Sequence, residues 1–313
     1  MTIVVWGVPT ESPVAMVTAA LQTAGADVLM LHPREFADQE AQVDVRDGTL
    51  RGYLHARGRT VDLDAVTGGY VRPVEPELLP ELTGQPLDSP DVVRARRVHD
   101  ALVAMTEVAA AAAGWRVANR LSAMGSNMSK PYQAQAVLRH GFATPETLVS
   151  DDPDEIAEFA SRHGELIYKS TSGIRSVVTR FDPVADRDRL GRLRWCPVQF
   201  QERLVGSDVR VHVVGEEVHA ALVHSDAVDY RYARQQVGAD AQLTAYELPD
   251  EVAARCVALA TDLELPFAGV DLKLLPDGRV YCFEVNPSPG FPWYENEAGL
   301  PISAAVARWL TAA

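Results

Sequence analysis

Cysteine is scarce in this chain of 313 residues. Cys196, Cys256 and Cys282 are odd in number, far apart, and form no Cys-x-x-Cys pair. That argues against a disulfide framework or a thiolate zinc site, and fits a reducing compartment. Long apolar runs are missing too. No stretch of about 18 apolar residues occurs, so no membrane-spanning helix is expected. The opening MTIVVWGVPTESP has neither the basic segment nor the apolar run of a secretory signal. A soluble, cytoplasmic protein without membrane association is the expectation. Positive charge is also short: the formal net charge is −14. Nonspecific nucleic-acid binding needs clustered Lys and Arg against phosphates, so no nucleic-acid partner is expected, although a locally basic pocket stays open. The eight histidines show no metal-ligand spacing. Internal repeats and low-complexity linkers are absent.

What is present is a large apolar fraction, 47% of the residues against 23% charged. That suffices for a large core, and the length suggests two or three compact units. Thr2 to Trp6 reads as a buried strand, followed by a helix starting near Ser12 and ending before Gly25, and a second strand from Val28 to Leu31. This β-α-β opening implies a parallel sheet. QVDVRDGTLRGYLH reads as a hairpin turning at Asp47-Gly48. GGYVRP ends a further strand at Arg72, and Val92 to Ala113 is a long helix stopped by Gly114.

A second unit begins near Asn119. Ser129 caps a helix running through Arg139. In DDPDEIAEFASRHG, Asp152 reads as the N-cap and Glu155 as its capping-box partner. ELIYK is a strand, leading into the Ser/Gly loop STSGIRS and a strand from Val177 to Arg180. The third unit starts near Cys196. It contains the extended PVQFQERL, a hairpin around Gly215-Glu216, a helix from Glu251 to Leu263, the hairpin VDLKLLPDGRVYCFEVN, and a last helix from Ile302 to Leu310. The expected division is therefore 1–118, 119–195 and 196–313.

The hairpin VDLKLLPDGRVYCFEVN carries acids inside strands that are otherwise apolar. Glu284 and Asn286 are two apart and point to one face, and Asp271 can face the same way on the adjacent strand. Three oxygen-bearing side chains then converge, as in sites where Mg²⁺ is held by carboxylates and substrate phosphates. The other reading is the solvated face of an edge hairpin. Lys169 ends a strand beside mobile-looking Ser/Gly backbone. It is either a holder of phosphate oxygens or a solvated charge. Glu202 and, six residues on, Asp208 lie in a segment that can pair with an adenine edge and take ribose hydroxyls. His212 reads as a packed or hydrogen-bonded residue rather than a catalytic base.

Taken in order and spacing, Lys130, Lys169, Gln201-Glu202, Asp208-Val-Arg210, Asp229-Tyr-Arg231, Asp271 and Glu284-Val-Asn286 resemble the ATP-grasp superfamily. The nearest flavour is the RimK-type ligases and the related synthetases that modify ribosomal peptides. The resemblance runs from about Asn119 to the C-terminus. It implies an α/β, ATP-grasp fold, with α+β lid and C-terminal parts behind an N-terminal βαβ pre-ATP-grasp domain. By it, Lys130 and Lys169 hold ATP phosphates, and Gln201, Glu202, Arg203 and Leu204 line the adenine, with Arg203 acting mainly through its backbone. Asp208 binds ribose, and Asp271, Glu284 and Asn286 hold Mg²⁺ or Mn²⁺. Arg210 and Arg231 stabilise the phosphoryl group or the acyl phosphate. The lid loop departs from the glycine-rich pattern: it has one glycine and adds Arg175, which can substitute as a phosphate donor. Tyr232-Ala233 replaces the Ser-Asn that follows the matching arginine in RimK-type ligases.

The implied reaction is ATP-dependent carboxylate–amine ligation through an acyl phosphate, for which no Ser-His-Asp or Cys-His nucleophile set is needed. The partners are a small-molecule or peptide carboxylate and an amine or hydroxyl nucleophile, with self-association left open. Two rivals stand beside it: an enzyme closing ester or amide links in a ribosomal precursor peptide, and a non-catalytic nucleotide-binding regulator. Arg72 is a candidate substrate clamp, because ligands gather beyond the carboxyl ends of parallel strands. The alternative is an exposed arginine paired with Glu75.

Overall fold

The computed structural model describes residues 1–47, 49–171 and 177–312. The chain opens with β1 (Thr2–Gly7), a helix over Ser12–Thr23, and β2 (Asp27–Leu31). β1 and β2 pair in parallel, as the β-α-β pattern requires. Between β2 and the next parallel strand lies an antiparallel sheet of β3 (Glu40–Arg46), β4 (Thr49–Ala56) and β5 (Arg59–Asp62). Arg46 pairs with Thr49, so the expected hairpin forms. Asp47 takes the left-handed φ of 51° that a tight turn requires, while Gly48 lies outside the described residues. β6 (Val66–Arg72) and β7 (Arg116–Ala118) complete the parallel sheet, in the order β2-β1-β6-β7.

That sheet is buried on both faces, which explains why Ile3 to Trp6 of β1 are all apolar. Val4 and Trp6 face the long helix Pro90–Ala112, against Leu102 and Met105. Ile3 and Val5 face the other way, onto Val14, Val17 and Leu21 of the first helix and Ile302, Val306 and Leu310 of the last. The C-terminal helix Ile302–Thr311 thus seals the N-terminal sheet, so the two ends of the chain share one core.

The second sheet has the order β10-β9-β11-β8, with β8 (Thr147–Ser150), β9 (Leu166–Ser170), β10 (Thr179–Phe181) and β11 (Val198–Glu202). The strand expected from Val177 thus starts two residues later. β11, which the sequence division set at the head of the third unit, hydrogen-bonds to both β8 and β9. The helix Pro153–His163 covers this sheet through Ile156 and Phe159. Its N-cap forms as expected: Asp152 accepts from the Asp154 N–H at 2.8 Å. The capping box does not. Glu155 accepts instead from the Ser150 hydroxyl at 2.6 Å, because that buried hydroxyl needs a partner and Glu155 is within its reach.

The third sheet is antiparallel, in the order β14-β13-β12-β15-β16. Its strands are β12 (Ser207–Val214), β13 (Glu217–His224), β14 (Gln242–Tyr246), β15 (Phe267–Leu274) and β16 (Val280–Asn286). Val209, Val211 and Val213 pack under the helix Asp250–Asp262, against Cys256 and Leu259. The opposite face of β12 carries Arg210 and His212, both buried.

Candidate active site

The second and third sheets enclose a cleft of about 600 Å³. Its lining includes Lys169, Gln201, Glu202, Arg203, Leu204 and Asp208 from the approach side. Arg210, Arg231, Asp271, Glu284 and Asn286 line the far side. The acids in the apolar hairpin are explained by this: Asp271 and Glu284 are directly paired across β15 and β16, and both face the cleft.

Asp271 is the hub. Its Oδ1 accepts from Arg210 at 2.7 Å and its Oδ2 from the Asn286 amide at 3.0 Å. The same amide nitrogen lies 3.4 Å from Glu284 Oε1. Burial pushes the Asp271 carboxyl above the usual range, the Arg210 guanidinium pulls it back, and Glu284 adds to the rise. Two carboxylates meeting at one point form the hard-oxygen core suited to Mg²⁺ or Mn²⁺, and Asn286, which turns its nitrogen to them here, would add its Oδ1 on rotation of the amide. Among the described residues no group of three or more His, Cys, Asp or Glu side chains that could hold a metal ion occurs.

Arg210 is 7% exposed, and Gly269 makes room for it. A Cβ at Gly269 would lie 2.6 Å from Arg210 Cζ. The Tyr294 ring lies under the guanidinium, 5.8 Å from its centroid, and the Tyr294 hydroxyl is 3.0 Å from that of Tyr230. His212 is fully buried edge-on to Tyr294, and burial and Arg210 hold it well below its usual pKa. That is a packed, neutral imidazole. Arg231 forms a two-pronged pair with Asp229, both bonds 2.8 Å, and Asp229 also accepts from the Val178 N–H at 3.2 Å.

Lys169 is half-buried. Burial and the neighbouring Lys130 lower its pKa to about 8. Lys130 is the first residue of the helix Lys130–Arg139, capped by Ser129, which accepts from the Tyr132 N–H at 3.4 Å. Two neighbouring lysines, with Glu284 only partly offsetting their mutual repulsion, suit a polyanion. Arg175, expected beside them, lies outside the described residues.

On the approach side, Gln201 donates to Thr147 Oγ1 at 2.9 Å, and Glu202 accepts from the Glu146 N–H at 3.0 Å. The Arg203 N–H is engaged by the Glu165 carbonyl at 2.8 Å. Asp208 pairs with Lys273 at 3.0 Å, where burial raises its carboxyl pKa and Lys273 opposes the rise.

Arg72 departs from the paired-with-Glu75 expectation. It donates to Glu11 at 3.1 Å and to the Ser288 carbonyl at 3.1 Å, and it also bonds the Ser288 hydroxyl. Glu75 instead faces His99 at 3.5 Å. The reason is distance in the fold: β6 ends beside the loop after β16, and Ser288 lines the cleft. Sequence reasoning missed Lys273 and Gly269. A signal for the first existed. The chain has 29 basic residues but only three lysines, Lys130, Lys169 and Lys273. Lys169 and Lys273 line this cleft, and Lys130, which is not part of the lining, neighbours Lys169. A chain that uses arginine almost everywhere keeps lysine where a compact charge is needed.

Residues 129–310 match the RimK-like ATP-grasp domain. The chain belongs to the RimK-like ATP-grasp family. Within that family, the ribosomal protein bS6–L-glutamate ligase of Escherichia fergusonii is 27% identical over 202 residues, covering 61% of this chain and 66% of the relative. A probable alpha-L-glutamate ligase of Xanthomonas euvesicatoria is 31% identical over 186 residues, 56% and 62% of the two chains. The match therefore spans a little under two thirds of these curated relatives. Among solved structures, the ATP-grasp ligase PsnB complexed with minimal precursor, Mg and ADP superposes with a TM-score of 0.78 at 27% identity. That likeness covers 99% of this chain and 96% of PsnB. The macrocyclase MdnC of Microcystis aeruginosa, bound with precursor peptide MdnA, has a TM-score of 0.77 at 22% identity over the full length of both chains. The fold is thus the ATP-grasp fold, carrying the α/β N-terminal part expected of it. Among the described residues no helix is long and apolar enough to cross a membrane.

Proposed function

We propose that this protein is an ATP-dependent carboxylate–amine ligase that makes an acyl phosphate and releases ADP and phosphate. The observation that carries this reading is the convergence of Asp271, Glu284 and Asn286 with Arg210, Arg231 and Lys169 around one cleft. A carboxylate is a poor electrophile, and a γ-phosphoryl group moved onto it makes a leaving group. That transfer is catalysed mainly by alignment and neutralisation of spread-out charge.

In this reading Lys130 and Lys169 grip phosphate oxygens, and Gln201 to Leu204 line the base. The engaged Arg203 N–H leaves the recognition of adenine in this stretch to its carbonyls and to Leu204. Asp208, with Lys273 beside it, takes the ribose. Asp271, Glu284 and Asn286 would hold Mg²⁺, which when bound would supply positive charge to neutralise the phosphates. Arg210 and Arg231, oriented by Asp271 and Asp229, face the transferred group and the acyl phosphate. Arg72 and Ser288 lie where the carboxylate substrate enters. Residues 1–118 serve substrate recognition in this scheme, 119–195 act as the lid, and 196–313 hold the metal site.

A second, narrower reading concerns the substrate. The likeness to PsnB covers the N-terminal part as well as the ATP-grasp part, whereas the match to the RimK-like domain begins at residue 129. The PsnB structures complexed with minimal precursor support a ribosomal precursor peptide, joined internally by ester or amide links, as the substrate. The test is to incubate the protein with ATP, Mg²⁺ and a precursor encoded beside it, and to read product and nucleotide together. Loss of one water per link in the peptide with stoichiometric ADP supports both readings. ADP formed only with small acids and amines removes the peptide reading and keeps the ligase.

A further inference from the structure

Two buried carboxamides, Asn119 and Gln133, are each 2% exposed, and neither touches the cleft. Both are bonded to backbone of the hairpin that bears the three converging donors. Gln133 donates to the Val285 carbonyl at 2.7 Å and accepts from the Val285 N–H at 3.1 Å. Val285 is the residue between Glu284 and Asn286. Asn119 accepts from the Phe267 N–H at 3.1 Å, donates to the Phe267 carbonyl at 2.5 Å, and also donates to the carbonyl of Pro287, the residue after Asn286.

The need for these bonds follows from topology. β16 is the edge strand of its sheet, so alternate backbone groups point away from β15. Near its start that open edge is satisfied by backbone: Ala143 bonds Val280 and Cys282 at 3.0 and 2.9 Å. Near its end, where the side chains must be held for chemistry, no backbone neighbour among the described residues does this for Val285. The Gln133 side chain imitates one, offering a donor and an acceptor in the spacing of a peptide group. Gln133 lies one helical turn after Lys130, so the same contact ties the helix bearing Lys130 to the strand bearing Glu284 and Asn286.

We infer that Gln133, with Asn119 as its counterpart, is a positioning residue that sets the register of Glu284 and Asn286 toward a divalent cation. This rests on the metal reading above. A strand end free to shift would carry both donors away from Asp271, since all three must meet at one point. Groups that hold metal ligands in place from behind are worth about 10- to 100-fold in metal affinity.

The test is calorimetric titration of the full-length protein with ADP, in EDTA and in excess Mg²⁺, with thermal melting alongside. In the wild type, Mg²⁺ should tighten ADP binding. Gln133→Met should lose about tenfold of that tightening, with ADP affinity in EDTA kept. Gln133→Glu, which keeps length and acceptor but removes the donor to Val285, should lose part of it and serves if the first variant folds poorly. Full Mg²⁺-dependent tightening in both variants, with only a lower melting temperature, overturns the inference while Asp271→Asn still abolishes the effect. If Mg²⁺ tightens binding in neither wild type nor Asp271→Asn, the metal reading falls and takes the clamp with it.

Discussion

Nucleotide affinity is expected to fall with rising pH, and Lys169 is the reason. Its amine is half-buried beside Lys130, and its pKa is lowered from 10.5 to about 8, with desolvation the larger cause. Glu284 opposes the shift without cancelling it. A fall of that size corresponds to roughly 3 kcal/mol of lost preference for the charged form. The sign follows directly. Free protein loses the Lys169 proton above about pH 8, whereas a bound triphosphate favours the ammonium and restores an ordinary lysine pKa. Binding above that pH must therefore take up a proton, and affinity is complete below it. Between pH 7 and pH 9 the dissociation constant should rise about tenfold. The assay is calorimetric titration with a non-hydrolysable ATP analogue at constant Mg²⁺, in two buffers of different ionisation enthalpy, so that proton uptake is read along with affinity. Lys169→Met should bind more weakly at neutral pH and lose the pH dependence. A flat profile in the wild type, or an unchanged slope in Lys169→Met, refutes the reasoning.

Other outcomes are open to simpler measurement. Asp271→Asn and Glu284→Gln should each abolish turnover with the melting temperature little changed, and near-normal activity at saturating Mg²⁺ in either would remove the metal assignment. Gly269→Ala places a Cβ 2.6 Å from Arg210 Cζ and 2.8 Å from Pro289 Cβ; displacing the guanidinium should cost about 10²-fold in kcat, as loss of one charge-stabilising donor does. An active Gly269→Ala enzyme would show that Arg210 is not needed where it sits. Chromatography of the spent nucleotide should show ADP, and AMP as the main product would sink the acyl-phosphate route. Arg72→Ala should raise KM for the carboxylate or nucleophile about 10- to 150-fold, the effect of one lost charged hydrogen bond, with ATP affinity nearly unchanged; unaltered kinetics for every substrate would reduce Arg72 to a strut between Glu11 and Ser288.

Much of this architecture is written locally. Strand period, turn residues and caps made the opening β-α-β unit, the hairpin at Asp47, the Ser129 and Asp152 caps and the Asp271/Glu284 hairpin readable, because each depends on neighbours within a few residues. The pairing of Asp271 with Glu284 needs only a short turn and two strands, so the heart of the candidate site was legible too. The capping box failed because Ser150, in the preceding strand, held a buried hydroxyl that competed for Glu155.

What the sequence by itself determined is thus the kind of chemistry: which acids, lysines and arginines are available, in which order, and on which strands. Only the tertiary structure decided their partners. Arg72 meets Ser288 and not Glu75, Lys273 meets Asp208, and Gln133 meets Val285, all across separations that no local pattern encodes. β11 joins β8 and β9 for the same reason. A strand's edge-pairing groups are identical in every residue, so which edge it finds is settled by packing and burial. Gly269 makes the point most simply. In the sequence it is one small residue in an apolar strand, and only the fold shows the guanidinium that needs the space.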